Sequence, residues 1–135
     1  MLDTDVLSYV AKGRPPEFRA RLDDIPVEHL CISVIAFAEV MAGLEAFTSD
    51  HPLRLTTEDL LVGVAVLPWD REAADRYALI QFHLNRTGQG IGPMDTLISA
   101  HALSLSIPLV TGNVRHHSRV PGLEIVDWRA SPTGG

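Results

Sequence analysis

The chain has 135 residues, of which 46% are hydrophobic, and it carries 17 acidic against 11 basic side chains, for a net charge of −6. This size and apolar content suit one compact domain and leave little room for a second. The charge is opposite to that of most nucleic-acid binders, so an RNA ligand would need local basic groups, a metal or a partner.

The first seven residues place two carboxylates, Asp3 and Asp5, two positions apart between apolar neighbours. The segment is predicted to be a short strand that runs into a turn, with both carboxylates on one face. Two anionic groups held side by side repel each other unless a cation or a proton compensates them. The pair therefore indicates a metal site to which other carboxylates contribute.

Strand-like and helix-like segments alternate along the rest of the chain. The predicted strands cover residues 30–33, 64–67, 107–111 and 123–128. The predicted helices cover residues 34–47, 71–86 and 93–104, and one more begins near Glu58. Ser33, Thr57 and Asp70 are predicted N-caps, and Pro93 suits the first helical position. Four apolar positions of the helix over 71–86 follow helical spacing: Ala74, Tyr77, Ala78 and Phe82.

Strands that alternate with helices predict an α/β fold, with a mainly parallel sheet between two helical layers. Ligands of such sheets bind beyond the carboxyl ends of the strands. Four polar side chains follow the carboxyl end of a predicted strand: Asp3, Asp5, Thr111 and Asn113. We therefore expect these side chains to surround the site.

Two further carboxylates lie on predicted helices. The neighbours of Glu39 three and four positions away are mostly small or apolar, which is unfavourable for a lone charge. Glu39 either reaches water from the edge of its helix or binds a metal. Asp95 is the third residue of the helix that begins at Pro93, where the helix dipole favours an ionised carboxylate. It either stabilises the helix start or contributes a ligand.

The histidines and the cysteine give weaker indications. His116 and His117 are predicted on a loop after Asn113, and consecutive histidines seldom share one zinc ion. The other histidines, including His101, are interpreted as structural or surface groups. The single Cys31 lies in an apolar segment and suits core packing in a reducing cytoplasm. The sequence shows no signal peptide and no apolar run of 18 residues, so a cytoplasmic protein without a membrane span is expected.

Four segments in order, spread over nearly the whole chain, resemble the PIN domain, and the VapC group of toxin ribonucleases most closely. They are LDTDVL at 2–7, ISVIAFAE at 32–39, GQGIGPMDTLISAHA at 88–102 and LVTGNVRHHSRVPGL at 109–123, followed by Asp127 and Trp128. The resemblance implies a three-layer α/β/α PIN-like fold with a mainly parallel central sheet. We expect a single domain over residues 1–130 and a disordered tail over 131–135.

The resemblance also implies an activity. It is that of a Mg²⁺-dependent or Mn²⁺-dependent endoribonuclease, the toxin of a VapBC-like toxin–antitoxin system, which cleaves tRNA or rRNA to leave a 5′-phosphate and a 3′-hydroxyl. Asp3, Glu39 and Asp95 take the places of the three principal acids, as catalytic residues and metal ligands. The implied partners are RNA, a VapB-like antitoxin and a second copy of the chain. The accessory site residues are Asp5, Thr111 and Asn113, and the candidate contacts to RNA phosphates are Lys12, Arg14, Arg86, Arg115 and Arg119.

The chain departs from the family pattern in three places. Position 5 is usually Asn in this group, and Asp5 adds a charge near the metal. Many PIN nucleases carry a fourth Asp where this chain has Asn113. His116 and His117 stand where an acidic residue and Phe are common, and we hypothesise that the reduced negative charge helps RNA approach.

Two alternatives stay open at this point. A HAD-like phosphatase also begins with Asp-x-Asp after a strand, but it needs a downstream Lys, and the only Lys here is Lys12. The second alternative is a non-catalytic PIN-like module that binds RNA or protein. The presence of Asp3, Glu39 and Asp95 disfavours it.

Overall fold

The computed structural model describes residues 1–129, so the predicted tail over 131–135 and the predicted domain end at 130 lie outside the described part. The helices in this part are α1 (Thr4–Lys12), α2 (Pro16–Asp23), α3 (Val34–Leu44), α4 (Pro52–Leu61), α5 (Arg71–Thr87), α6 (Pro93–Ser104) and α7 (Val114–His117), with a 3-10 turn at Val27–His29. The strands are β1 (Cys31–Ser33), β2 (Ala65–Leu67), β3 (Leu109–Val110) and β4 (Ile125–Val126). No helix within residues 1–129 combines the length and the apolar character needed to cross a bilayer.

The strands pair in parallel, as the alternation of strands and helices predicts. β1 pairs with β2, and β3 pairs with β4. The first residues join the two pairs, because the Leu2 amide donates to the Cys31 carbonyl at 2.9 Å and Leu2 also forms a parallel bridge with Val110. The start of the chain therefore lies in the middle of the sheet, and Asp3 follows at its carboxyl end.

Apolar side chains pack on both faces of this sheet. Leu2 and Ile32 belong to a cluster with residues of α1 and α2, whereas Met1 and Leu109 belong to a second cluster with residues of α3 and α6. Successive residues of an extended chain point to opposite faces, so Met1 and Leu2 place the two clusters on opposite sides. Cys31 packs against the second cluster, as predicted. The result is the predicted three-layer α/β fold.

The strand predicted at the first residues is confirmed at Leu2, which bridges Val110, but the prediction is wrong from Thr4 onward. Only Leu2 forms a β-bridge, and α1 begins at Thr4 with Asp3 as its N-cap. Asp3 and Asp5 therefore do not share a strand face, because one caps a helix and the other lies in its first turn. The buried side chains of α1 recur at helical spacing: Val6, Leu7 and Val10.

The predicted start of α4 is also wrong. This helix begins at Pro52 rather than near Glu58, and Nδ1 of His51 accepts a hydrogen bond from the Leu53 amide at 3.1 Å. Thr57 lies inside the helix and donates its hydroxyl proton to the Leu53 carbonyl. A proline at the first helical position and a side-chain cap define this helix start.

The bounds of α5 agree with the prediction. Of its four apolar positions at helical spacing, Ala74 and Tyr77 are half-buried, whereas Ala78 and Phe82 are exposed. Asp70 caps the helix and accepts from the Ala73 amide at 3.1 Å. Phe82 is 67% exposed. The buried residues of α5 are Ala73, Ile80 and Leu84. Ile80 and Leu84 share a core cluster with Ala100 of α6, and Tyr77 packs against it.

Candidate active site

Asp3 lies at the carboxyl end of the central segment of the sheet, and both of its carboxylate oxygens accept hydrogen bonds. Oδ1 accepts from the Thr4 amide and Oδ2 accepts from the Thr111 hydroxyl, each at 2.8 Å. Nε2 of His117 lies 3.1 Å from the same Oδ2. Burial alone would raise the pKa of Asp3, but the hydrogen bond and charge of His117, with the bonds from Thr111 and Thr4, lower it overall. Asp3 is therefore an ionised carboxylate in a fixed orientation.

Asp95 lies at the third position of α6, as predicted from Pro93 at the first. Its Oδ2 accepts a hydrogen bond from Nδ2 of Asn113 at 3.1 Å, and Nδ1 of His116 lies 3.4 Å from the same oxygen. The Asp95 side chain is 26% exposed, against 4% for Asp3. Asp95 is therefore the more accessible of the two carboxylates.

His117 completes a cluster with these two acids. The predicted loop at His116 and His117 is wrong, because both residues lie in α7, and the imidazole of His117 is fully buried. Its Nε2 lies 3.9 Å from Oδ1 of Asp95, and its Nδ1 lies 2.8 Å from Oγ of Ser99. One candidate ligand atom from each of Asp3, Asp95 and His117 lies within 4.8 Å of the other two. We call these three residues the acid–histidine cluster.

Sequence reasoning missed His117 as a member of the site. The local pattern contains one indication, since Asn113 and His117 are four positions apart and would share a face of any helix that starts between them. The contact with Asp3 depends on where α7 lies after β3, which the local pattern does not show. Because His117 is buried, it cannot aid RNA approach as a surface group. That hypothesis stays a prediction for His116, whose side chain is 41% exposed.

Glu39 lies on α3 and is half-buried beside the acid–histidine cluster. The hydroxyl of Thr4 donates to its Oε1 at 2.8 Å. Because the Thr4 amide also donates to Asp3, this one residue links the two carboxylates. Among the described residues, the compact set of ligand atoms does not include Glu39, and its role as a metal ligand stays a prediction.

Asp5 lies against the turn after β3 rather than in the cluster. Its Oδ2 accepts a hydrogen bond from the Gly112 amide at 3.0 Å, and its buried Oδ1 has no hydrogen-bond partner among residues 1–129. Burial and the charge of Asp3 raise the pKa of Asp5 to about 6. A Cβ atom at Gly112 would lie 2.9 Å from Oδ2 of Asp5 and 3.1 Å from Cε2 of Tyr9, so a larger residue here would have to displace the Asp5 carboxylate. The Arg129 guanidinium donates to the Gly112 carbonyl on the same turn.

The predicted phosphate contacts occupy different surroundings. Lys12 and Glu39 line a groove of about 270 Å³, which is otherwise mostly apolar and is formed by α1, α3 and α4. Arg119 donates through Nη1 to the Gly90 carbonyl at 3.1 Å, which connects it to the loop before α6. Contact with RNA stays a prediction for all five residues. The other three are exposed: Arg14, Arg86 and Arg115.

The chain is similar to known PIN-domain proteins over most of its length. Residues 1–123 match the PIN domain family. A tRNA(fMet)-specific endonuclease VapC of Salmonella typhimurium is 33% identical over 128 residues, which cover 95% of this chain and 96% of the relative. A ribonuclease VapC2 of Haemophilus influenzae is 35% identical over 130 residues, with the same shares covered. This chain belongs to the VapC group of the PIN-domain family. As a member of that group it is a nuclease, and this excludes the HAD-like phosphatase.

Solved structures share the fold of this VapC-group chain. A DNA-bound VapBC complex from Salmonella typhimurium contains a chain with a TM-score of 0.84 and 32% identity, covering 95% of this chain and 96% of that one. VapBC-1 from nontypeable Haemophilus influenzae gives a TM-score of 0.83 at 31% identity, with 96% and 98% covered. The fold and the family predicted from the sequence are thus confirmed.

The acid–histidine cluster suits a divalent metal ion, the kind of cofactor on which PIN nucleases generally depend. Carboxylate oxygens are the usual ligands of hard divalent cations, and a neutral imidazole is a common additional ligand. Asp3 and Asp95 both present oxygen atoms toward one small volume, and positive charge there would offset their mutual repulsion. The chemistry of these donors therefore fits the cofactor that the family implies.

Proposed function

We propose that this chain is the toxin of a VapBC-like toxin–antitoxin pair and that it cleaves RNA internally in the cytoplasm with Mg²⁺ or Mn²⁺. The acid–histidine cluster at the carboxyl end of a PIN-domain sheet carries this proposal. tRNA is the first substrate class to test, because the Salmonella relative is named a tRNA(fMet)-specific endonuclease. rRNA is the second.

Asp3 and Asp95 would hold the ion, and Glu39 would contribute from the adjacent helix. A divalent ion held there would supply two effects: it would make a bound water more acidic, and it would offset negative charge that develops on the phosphate. Water attacks phosphorus while the bond between phosphorus and the 3′ oxygen breaks, and the 3′ oxygen takes up a proton. The products are a 5′-phosphate and a 3′-hydroxyl. We assign no side chain as general base.

The neighbouring side chains act by fixing the carboxylates. Thr111 donates to Asp3, and Asn113 donates to Asp95, so each acid keeps one orientation before RNA binds. The Asn113 amide in turn donates to Oγ1 of Thr111 at 2.9 Å, which joins the two supports. A precise arrangement of this kind reduces the reorganisation required in the transition state.

The protein partners follow from surface charge and apolar area. The net charge of −6 and the exposed edge of Asp95 favour a basic antitoxin segment that lies over the site. Two related structures that match most of this chain are VapBC complexes. A homodimer is supported by Leu79 and Phe82 of α5, which are 66% and 67% exposed.

The direct test uses the purified chain separated from its antitoxin, with tRNA and rRNA as substrates and sequencing of both product ends. Asp3→Asn and Asp95→Asn should each lower the cleavage rate at least about 100-fold, and EDTA should abolish cleavage. Asp75→Asn, on the exposed side of α5, is the matched control and should cleave at the wild-type rate. A folded wild-type protein that cleaves neither RNA in Mg²⁺ or Mn²⁺ would contradict the proposal.

A further inference from the structure

We propose that His117 is a nitrogen ligand of the metal ion and that it shifts the preference of the site from Mg²⁺ toward Mn²⁺ and other transition-metal ions. This inference rests on the proposed metal-dependent function and specifies which ion the site selects. Phe is common at position 117 in the family pattern, and Phe has no donor atom. The imidazole is thus a feature in which this chain departs from the family pattern.

The position of His117 matches that of a ligand. Its side chain is fully buried, and Nε2 faces both acids of the cluster, 3.1 Å from Oδ2 of Asp3 and 3.9 Å from Oδ1 of Asp95. For metal–ligand bonds of about 2.1 Å, ligand atoms in an octahedral shell are about 3.0 Å apart when adjacent and about 4.2 Å apart when opposite. Both observed distances lie within that interval.

Ser99 supplies the second contact that a ligating imidazole needs. Metal-bound histidines almost always use their other ring nitrogen in a hydrogen bond, which fixes the tautomer and the ring orientation. Nδ1 of His117 lies 2.8 Å from Oγ of Ser99, and Ser99 is itself buried. A hydroxyl both donates and accepts. It can accept from Nδ1–H when Nε2 is a ligand, and it can donate to Nδ1 when Nε2–H donates to Asp3.

A nitrogen donor changes ion preference for a chemical reason. Mg²⁺ prefers oxygen ligands and dehydrates reluctantly, so it gains little from an imidazole. Mn²⁺, and more strongly Co²⁺, bind mixed oxygen and nitrogen sites with affinities that rise along the first transition series. Removal of the imidazole should therefore weaken Mn²⁺ binding much more than Mg²⁺ binding.

The test measures binding without RNA. Pulsed electron paramagnetic resonance of Mn²⁺ bound to the antitoxin-free protein should show coupling to an imidazole ¹⁴N nucleus. His117→Phe and His117→Gln should remove that coupling and reduce the ratio of Mn²⁺ to Mg²⁺ affinity, measured by calorimetry, about tenfold or more. Two variants of different size and polarity keep the test decisive if one of them packs poorly, and circular dichroism checks each fold. His29→Phe, at an exposed position in the 3-10 turn, is the control and should keep both signals.

The outcomes separate this inference from the proposed function. Mn²⁺ that binds the wild type without nitrogen coupling, or coupling that survives in both folded His117 variants, would overturn the role of His117 and leave a metal-dependent nuclease. Loss of the coupling in His29→Phe would overturn it too. If the wild type binds no divalent ion while Asp3 and Asp95 are intact, the proposed function fails as well.

Discussion

Nε2 of His117 lies 3.1 Å from Oδ2 of Asp3, although 114 positions separate the two residues in the chain. The same oxygen accepts the Thr111 hydroxyl. Two side chains from the second half of the sequence therefore fix a carboxylate from its beginning. The behaviour of Asp3 depends on these long-range contacts as much as on its position as a helix cap.

The Thr111 hydroxyl supports both acids, so Thr111→Val should reduce activity and stability together. Valine keeps the shape but loses the bond to Asp3 and the bond from the Asn113 amide. We expect a loss of about 2 kcal/mol in the free energy of unfolding, measured by urea denaturation, and an RNA cleavage rate at least about tenfold lower. Thr111→Ser retains the hydroxyl and should restore most of both. Equal rates for the Val variant and the wild type would show that Thr111 does not position Asp3.

Asp5 should make the metal-free protein less stable as the pH rises through about 6. Its pKa is raised to about 6 in the folded protein, from 3.8, so the folded state binds the proton more tightly than the unfolded state. The stabilisation from this proton is complete below pH 3.8 and is lost as the pH rises through about 6.

The Asp5→Asn substitution removes the titratable group. A comparison with the wild type therefore tests whether Asp5 lowers the stability as the pH rises. In EDTA at pH 7.5 the variant should be more stable than the wild type by about 1 to 2 kcal/mol, after allowance for the partial solvent exposure of Asp5. The difference should shrink toward zero as the pH approaches 4. Asp75→Asn, on the exposed surface of α5, should show no such trend. A gap that widens on acidification would refute the raised pKa.

Gly112→Ala should destabilise the protein because the turn after β3 has no room for a methyl group. The added Cβ would lie 2.9 Å from Oδ2 of Asp5 and 3.1 Å from the Tyr9 ring. We expect a cost of about 1 to 3 kcal/mol in thermal or urea unfolding. Gly43→Ala is the matched control, since a Cβ there meets nothing within 4 Å in the described part of the chain and alanine favours the helix. If both variants gained stability, the turn would be looser than described.

Metal binding should raise the melting temperature, because it relieves repulsion among Asp3, Asp5 and Asp95. Mn²⁺ at 100 times its dissociation constant should add about 2.7 kcal/mol to the free energy of unfolding. Asp95→Asn should lose most of this increase, whereas Asp75→Asn should keep it. A Mn²⁺-induced increase of equal size in Asp95→Asn would place the ion elsewhere.

Rules that use only neighbouring residues were sufficient to predict the positions of Asp95 and Asp70 at the starts of their helices. Pro93 at the first helical position fixed Asp95 as the third residue of α6, and Asp70 before a helical run was a cap, because both rules depend only on adjacent residues. The same proline rule, applied to Pro52, predicts the observed start of α4. Thr57 is predicted as the N-cap because threonine is a common cap residue, but its hydroxyl instead donates to the Leu53 carbonyl inside the helix.

The errors at Asp5 and His117 have a different origin. The apolar residues around Asp3 are compatible with a strand or with a helix, so their pattern alone does not distinguish the two. For His117, a helix after Asn113 could have been proposed from spacing, but the approach to Asp3 depends on how β3 and α7 lie against the start of the chain. The order of residues in the sequence contains no direct information on the distance between His117 and Asp3.

The central position of residues 1–3 in the sheet has a consequence for synthesis. The segment is hydrogen bonded to Cys31 on one side and Val110 on the other, and Asp3 then meets His117. A ribosome must therefore have made the chain through His117 before the acids can be held in place. Until then the acid–histidine cluster cannot form, because His117 has not yet been added to the chain.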